Sequence, residues 1–238
     1  MSANVIDIPA ANLALAFIPV GILVVVIWRW SSEPGSAAYA IGRMLVQLIA
    51  IGYLLTFIFS ADSAPLVLAI LCIMLAAASW ISIRPLGKRN PVNLMRALLA
   101  IAVSGGVSLA VVTALVLQVE PWYLARVVIP LGGMIFASAM NAVSIAAERL
   151  VAETSAGSVI AEARNVSFKA AMNPFQNQLL AVGLVSLPGM MTGQILSGVD
   201  PLIAVRYQIM VMCMLYSGAG LAAALYLQLQ TRSGTRRH

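Results

Sequence analysis

A chain of 238 residues that is 61% hydrophobic and only 9% charged, with a mean hydropathy of +0.97, cannot cover a water-exposed surface, because soluble domains carry roughly 25% charged residues. That arithmetic excludes a soluble enzyme and a disordered tail. A nucleic-acid reader is excluded as well: the net charge of +6 comes from bases scattered between apolar runs rather than from one basic face.

A hydrocarbon core of about 30 Å needs about 20 helical residues to cross it. Apolar runs of that size fall at about 10–30, 38–59, 65–84, 94–118, 124–147, 175–198 and 201–228. They are apolar all round and lack the alternation of a membrane β-barrel. The fold class predicted is all-α: a polytopic membrane protein, one transmembrane domain over 1–238, with about seven helices. The first base, Arg29, follows the first apolar run, so that run is read as an anchor and not as a leader to be cleaved.

The second span carries Arg43 and Gln47 one turn apart on one face, with Gly52 further in. Arg43 either snorkels to the headgroups or pairs with Gln47 towards a protein interior. The third and seventh spans hold the two cysteines, Cys72 and Cys213, which are read as buried packing thiols, with a ligand or disulfide role as the alternative. Between the third and fourth spans the single Gly-Lys pair, Gly87-Lys88, has Ser82 at the first loop position and Arg89 after the lysine. That is no phosphate-binding loop, so no cofactor is expected in this chain.

In the fifth span, Pro130 removes a backbone hydrogen bond, Gly132 and Gly133 permit close helix approach, and Ser138 and Asn141 add hydrogen-bonding groups. A kinked packing helix and a pathway lining both fit. The polar stretch 148–174 is predicted to be a short cytoplasmic surface helix, with an apolar stripe of Val159, Ala163, Val166 and Ala170 and an Arg149–Glu153 pair at i,i+4. Glu153, Glu162, Arg164 and Lys169 are its candidate contacts with a partner.

The sixth span is the most informative. Pro188 cannot donate to the carbonyl of Leu184, and Gly189 follows at once, so the helix is expected to kink or open near mid-membrane. Gly189 and Gly193 make a Gly-xxx-Gly pair, while Met190, Met191, Thr192 and Gln194 supply sulfur and oxygen donors. Pro188, Gly189, Met190, Met191, Thr192, Gly193 and Gln194, with Asn141, Arg43 and Gln47, are the candidate pathway or gate residues. Six of the twelve methionines lie in the last third, where they fill a membrane core or offer soft ligands.

Twelve of the fourteen bases fall on alternate connections or the tail: Arg29, Arg43, Arg84, Lys88, Arg89, Arg96, Arg149, Arg164, Lys169, Arg232, Arg236 and Arg237. By the positive-inside rule the N-terminus is then outside and the C-terminus inside. Asp7, Asp62, Glu120 and Asp200 mark the opposite side. No Asp or Glu lies deep in a span, and the sole histidine is His238, so proton coupling lacks its usual relay groups. Uphill transport would need a partner as its engine.

The stretch Val185-Ser-Leu-Pro-Gly-Met-Met-Thr-Gly-Gln-Ile-Leu, continuing through Pro201-Leu-Ile-Ala-Val-Arg-Tyr-Gln-Ile209, resembles the FetB/YbbM family. Arg43, Gln47, Gly52, Pro130, Gly133, Met134 and Asn141 support the likeness across the chain. The family usually has Gly-Asn where Ala137-Ser138 stands, and a Leu-Ala-Leu-Gly-Ala-like run that segment 148–174 lacks. These are ABC-transporter permeases implicated in bacterial iron export and related to plant aluminium-tolerance permeases. The resemblance implies an inner-membrane permease homodimer, not itself an enzyme, working with a separate cytoplasmic ATP-binding subunit that binds the ATP. The alternatives are a non-transporting membrane scaffold or assembly factor, and an ion-coupled carrier.

Overall fold

The computed structural model describes residues 8–30, 34–58, 63–87 and 90–234. Asp7, Asp62, Lys88, Arg89, Arg236, Arg237, His238 and residue 59 of the second predicted span lie outside the described residues. The chain divides into two units, Met1–Ala61 and Asp62–His238.

In the first unit the apolar sequence forms α1 (Ala10–Leu15), α2 (Phe17–Trp30) and α3 (Pro34–Ile58), with α2 packed against both of the others. The second unit contains α4 (Ala64–Ser82), α5 (Pro91–Ala110), α6 (Ala125–Ser155), α7 (Ile160–Ala181), α8 (Gly189–Leu196) and α9 (Pro201–Gly234). Asn90 opens α5, its side-chain oxygen accepting from the Val92 amide at 2.9 Å. Asp200 does the same for α9, accepting from Leu202 at 2.8 Å. The last turns of α5 widen into a π-helix over Val111–Val116.

Helix α6 is the hub and packs against α4, α5, α7 and α9. Its inward face places Val128, Leu131, Ile135, Ala139, Ala142 and Ala146 at spacings of three and four. Lipid tails are as apolar as leucine, so association here depends on close fit rather than on hydrophobic burial. The sequence supplies that fit with small residues. A Cβ on Gly105 would lie 2.8 Å from the Phe136 ring, and one on Gly132 would lie 2.6 Å from Leu71. Where α6, α7 and α9 meet, Ala142, Ala146, Ala171, Ala219 and Ala223 pack with Met172, Phe175 and Leu227.

These contacts also set directions. Gly105 of α5 faces Phe136 and Gly132 faces Leu109, so α5 and α6 are antiparallel. Gln230 near the end of α9 accepts from Arg96 and donates to Asn93 (2.9 Å), both near the start of α5, and donates to Tyr226 (2.8 Å). Helices α6 and α9 therefore run the same way. Arg96, Arg149, Arg164 and Arg232 gather at one end of the second unit, and Glu120 and Asp200 mark the other.

Six helices among the described residues are long and apolar enough to cross a membrane: Ala11–Trp30, Gly35–Leu55, Ala64–Leu86, Pro91–Val116, Ala125–Ser155 and Pro201–Arg232. These match six of the seven predicted runs. The predicted sixth span, 175–198, is not one helix: α7 stops at Ala181 and α8 starts at Gly189. Segment 148–174 is likewise not a lone surface helix, because α6 continues to Ser155 and α7 folds back from Ile160. Of its expected stripe Ala163 is buried, but the next buried places are Ser167 and Ala171, one residue beyond Val166 and Ala170, and Val159 is exposed. Cys72 and Cys213 are unpaired, but both are exposed rather than buried.

Candidate functional site

The break between α7 and α8 is built by backbone chemistry. Gly183 has φ +83°, a conformation that costs an L side chain dearly. It lets the chain turn so sharply that the amides of Leu184, Val185 and Ser186 all converge on the Ala181 carbonyl, at 3.2, 2.8 and 3.2 Å. The Gly183 amide then donates to the Ser186 carbonyl at 3.0 Å. Pro188, with no N–H to satisfy, stands at the N-cap of α8, and its carbonyl accepts from the Thr192 amide at 3.0 Å and the Thr192 hydroxyl at 3.1 Å. The sequence led us to expect a kink within one helix. Gly183 makes a full interruption instead, five residues before the proline.

Helix α8 lies against α9. Pro188, Met190, Met191, Thr192 and Gln194 are partly buried, whereas Gly189 and Gly193 are exposed. Among the described residues nothing of the second unit lies within 4 Å of a Cβ built on either glycine, so the expected Gly-xxx-Gly approach is not made inside that unit. Two buried amide oxygens near this junction lack hydrogen-bond partners: Oε1 of Gln194 on α8 and Oε1 of Gln208 on α9. Such acceptors are costly when left unsatisfied. A cavity of about 370 Å³ lies between the end of α7, the break, α8 and α9, and both Pro188 and Met191 line it.

The remaining candidates lie on other elements. Asn141 sits on the exposed side of α6. Arg43 and Gln47 are exposed on α3 in the first unit, one turn apart as expected. At the basic end Arg149 and Glu153 form the expected i,i+4 pair at 2.6 Å. The second Glu153 oxygen accepts from the Ser158 hydroxyl at 3.0 Å, so this carboxylate ties the α6–α7 turn together. Glu162 and Lys169 are exposed. Arg164 lines a small, mainly apolar hollow of about 230 Å³ with Asn165, Phe168, Leu227 and Gln228. Among the described residues no three His, Cys, Asp or Glu side chains gather as metal ligands.

The chain matches the uncharacterised protein family UPF0014 over residues 10–164 and 154–234. It belongs to that family. It is 37% identical to the UPF0014 membrane protein slr1647 of Synechocystis over 78% of this chain and 77% of that one. Its identity to the probable iron export permease protein FetB of Escherichia coli is 34%, over 98% of this chain and 93% of the relative. The Arabidopsis thaliana protein ALUMINUM SENSITIVE 3 is 29% identical over 89% of this chain and 80% of its own. No solved structure gives a significant match. This UPF0014 chain is thus a multi-pass membrane protein whose sixth apolar run is interrupted.

Gln208, Met212 and Cys213 also line the α7–α8–α9 cavity, and sequence reasoning did not select them for it. They sit inside the long apolar run of α9, where no pattern separates a cavity-facing residue from a packing one. The only available signal was an amide within that run, at Gln208.

Proposed function

We propose that this chain is the membrane-spanning permease subunit of an ABC exporter of metal ions, iron by analogy with its relative, driven by ATP hydrolysis in a separate cytoplasmic subunit. The supporting observation is the interrupted segment 182–188 with two unpartnered buried amide oxygens beside it. Irregular backbone at membrane depth is tolerated where it is covered by protein or lines a cavity. The likeness to an iron export permease over 98% of the chain gives that break a transport context.

Helices α6 and α9 run the same way, so the chain between them must recross. In this reading α7, the break and α8 together form a seventh crossing. The basic end faces the cytoplasm, as the positive-inside rule requires. Helix α6 has 31 residues, about 46 Å at 1.5 Å per residue, and overruns a core of about 30 Å. Its overhang and the first half of α7 form the docking stalk for the ATP-binding subunit, with Glu162, Arg164 and Lys169 outward. Closure of two such subunits beneath a permease pair moves the stalk, and α7 carries that motion to Gly183 and Pro188. Met190, Met191, Thr192 and Gln194 line the gate, and Asn141 is the polar group that α6 offers in the same unit.

The test is transport into inverted vesicles containing this chain and its co-encoded ATPase, screening iron, other metals and nucleotide sugars. ATP-dependent accumulation of a metal, abolished when the ATPase is omitted, is expected. Accumulation that ignores ATP and collapses with an ion gradient would overturn the reading, as would failure of any ATPase to co-purify.

A further inference from the structure

We infer that the cavity between α7, α8 and α9 is a binding site for a soft monovalent metal ion of the Cu(I) or Ag(I) class, held by sulfur. Met191 from α8 and Met212 and Cys213 from α9 line one space of about 370 Å³, closed at one end by Gly183 and Pro188. Two thioethers and a thiol are a soft donor set, which selects Cu(I)-like ions over hard ones. Cys213 is unpaired, so its sulfur is available.

Charge decides which ions fit. No acid, base or histidine lines the cavity, and apart from the sulfur donors and Gln208 its walls are apolar. A divalent ion would bring two charges into that setting with at most one thiolate to offset them, and uncompensated charge in an apolar site is strongly unfavourable. A monovalent ion balances fully: the Cys213 S–H bond breaks, its proton leaves to solvent, the sulfur–metal bond forms, and the metal–thiolate pair is neutral. Met191 and Met212 then fill the coordination sphere without adding charge.

A second observation marks the same wall. Gln208 lines the cavity, is only 6% exposed, and its Oε1 has no hydrogen-bond partner. An amide that deep in an apolar run is otherwise a net cost. Its Oε1 has essentially no exposed surface, so it marks this wall as polar rather than serving as a ligand of the ion. The cavity borders the break assigned above to the transport route, and any use of it in transport rests on that reading and is for a soft monovalent cargo rather than for iron. Metal binding does not.

The test uses the full chain in nanodiscs without an ATPase, titrated with Cu(I) against a competing Cu(I) chelator under reducing conditions. One ion per chain is expected, with one proton released per ion and a sulfur-dominated X-ray absorption spectrum. Cys213→Ser, Met191→Leu and Met212→Leu should each weaken binding by about tenfold or more, the scale seen when even outer partners of a metal are lost. Met95→Leu, exposed on α5 and lining no cavity with Cys213, should bind like the parent. Manganese(II) should not compete. Absence of stoichiometric binding, a spectrum dominated by nitrogen and oxygen, or a Cys213→Ser variant that binds as tightly as the parent would each overturn the inference. Because the absorption spectrum is read on the parent protein, the result does not depend on any variant folding. ATP-driven transport of another cargo by a chain that binds no Cu(I) would overturn this site and leave the permease standing. Binding without transport would do the reverse.

Discussion

Gly183→Ala and Gly189→Ala change one hydrogen to one methyl group six residues apart, and the structure assigns them opposite outcomes. At Gly183 nothing lies within 4 Å of the added carbon, so the penalty is purely conformational and comes from φ +83°. A left-handed backbone costs a residue with a Cβ about 1–2 kcal/mol. For a chain of this size 1 kcal/mol corresponds to about 2–4 °C in Tm, so the expected loss is roughly 2–8 °C. Gly189 also has open space around it, but it stands in the first turn of α8 with no such strain. Its alanine variant should stay within about 0.5 kcal/mol of the parent, as should Gly193→Ala. Both classes would be measured by thermal unfolding in nanodiscs, with hydrogen exchange read at 182–188, where only Gly183→Ala should increase exchange. A Gly-xxx-Gly packing face makes the contrary prediction, with Gly189→Ala and Gly193→Ala the damaging pair. Losses of several degrees in those two, with Gly183→Ala unaffected, would refute a break built on the backbone of Gly183.

Three further outcomes are expected. Gly105→Ala should destabilise by about 1–3 kcal/mol, because the new methyl meets the rigid Phe136 ring and buried Ile135; Gly106→Ala, with open space, should be near neutral in the same unfolding assay. Gln230→Leu removes the shared partner of Arg96, Asn93 and Tyr226 and should cost about 1–3 kcal/mol, with faster hydrogen exchange at the start of α5 and the end of α9. Glu162→Lys should reduce co-purification of the ATP-binding subunit without changing Tm. Glu153→Gln should instead lower stability by about 1 kcal/mol or less, since its carboxylate serves Arg149 and Ser158.

The helices were legible because spanning segments announce themselves by length and apolarity alone, and six of them stand where the apolar runs lie. The break was legible only in its second half. Pro188 has one backbone meaning, so it marked the start of α8. Gly183 has several, and inside an apolar run it reads as a packing glycine; its positive φ is imposed by the turn and leaves no trace in composition. The offset of the buried stripe on α7 has a similar cause. Ser167 is fully buried, its hydroxyl returned to the Ala163 carbonyl at 2.6 Å, so a polar residue took a place that an apolar pattern gave to Val166. Glu153, expected to meet a partner, also closes the α6–α7 turn, and a sequence does not separate these two uses of one charge.

The alanine seam among α6, α7 and α9 has a mechanical consequence. Phe136 seated over Gly105 acts as a peg in a socket, so α5 and α6 must move as one piece unless a buried ring leaves its hole. The seam has a peg of its own, but a flexible one: Met172 seats on Gly220, where a Cβ would stand 3.3 Å from its terminal methyl. A thioether chain re-forms such a contact at less cost than a ring does, and Ala142, Ala146, Ala171, Ala219 and Ala223 around it are small. Helices that meet there can shear more readily than α5 and α6, and α7, which lies on that seam, is the helix that leads into the break.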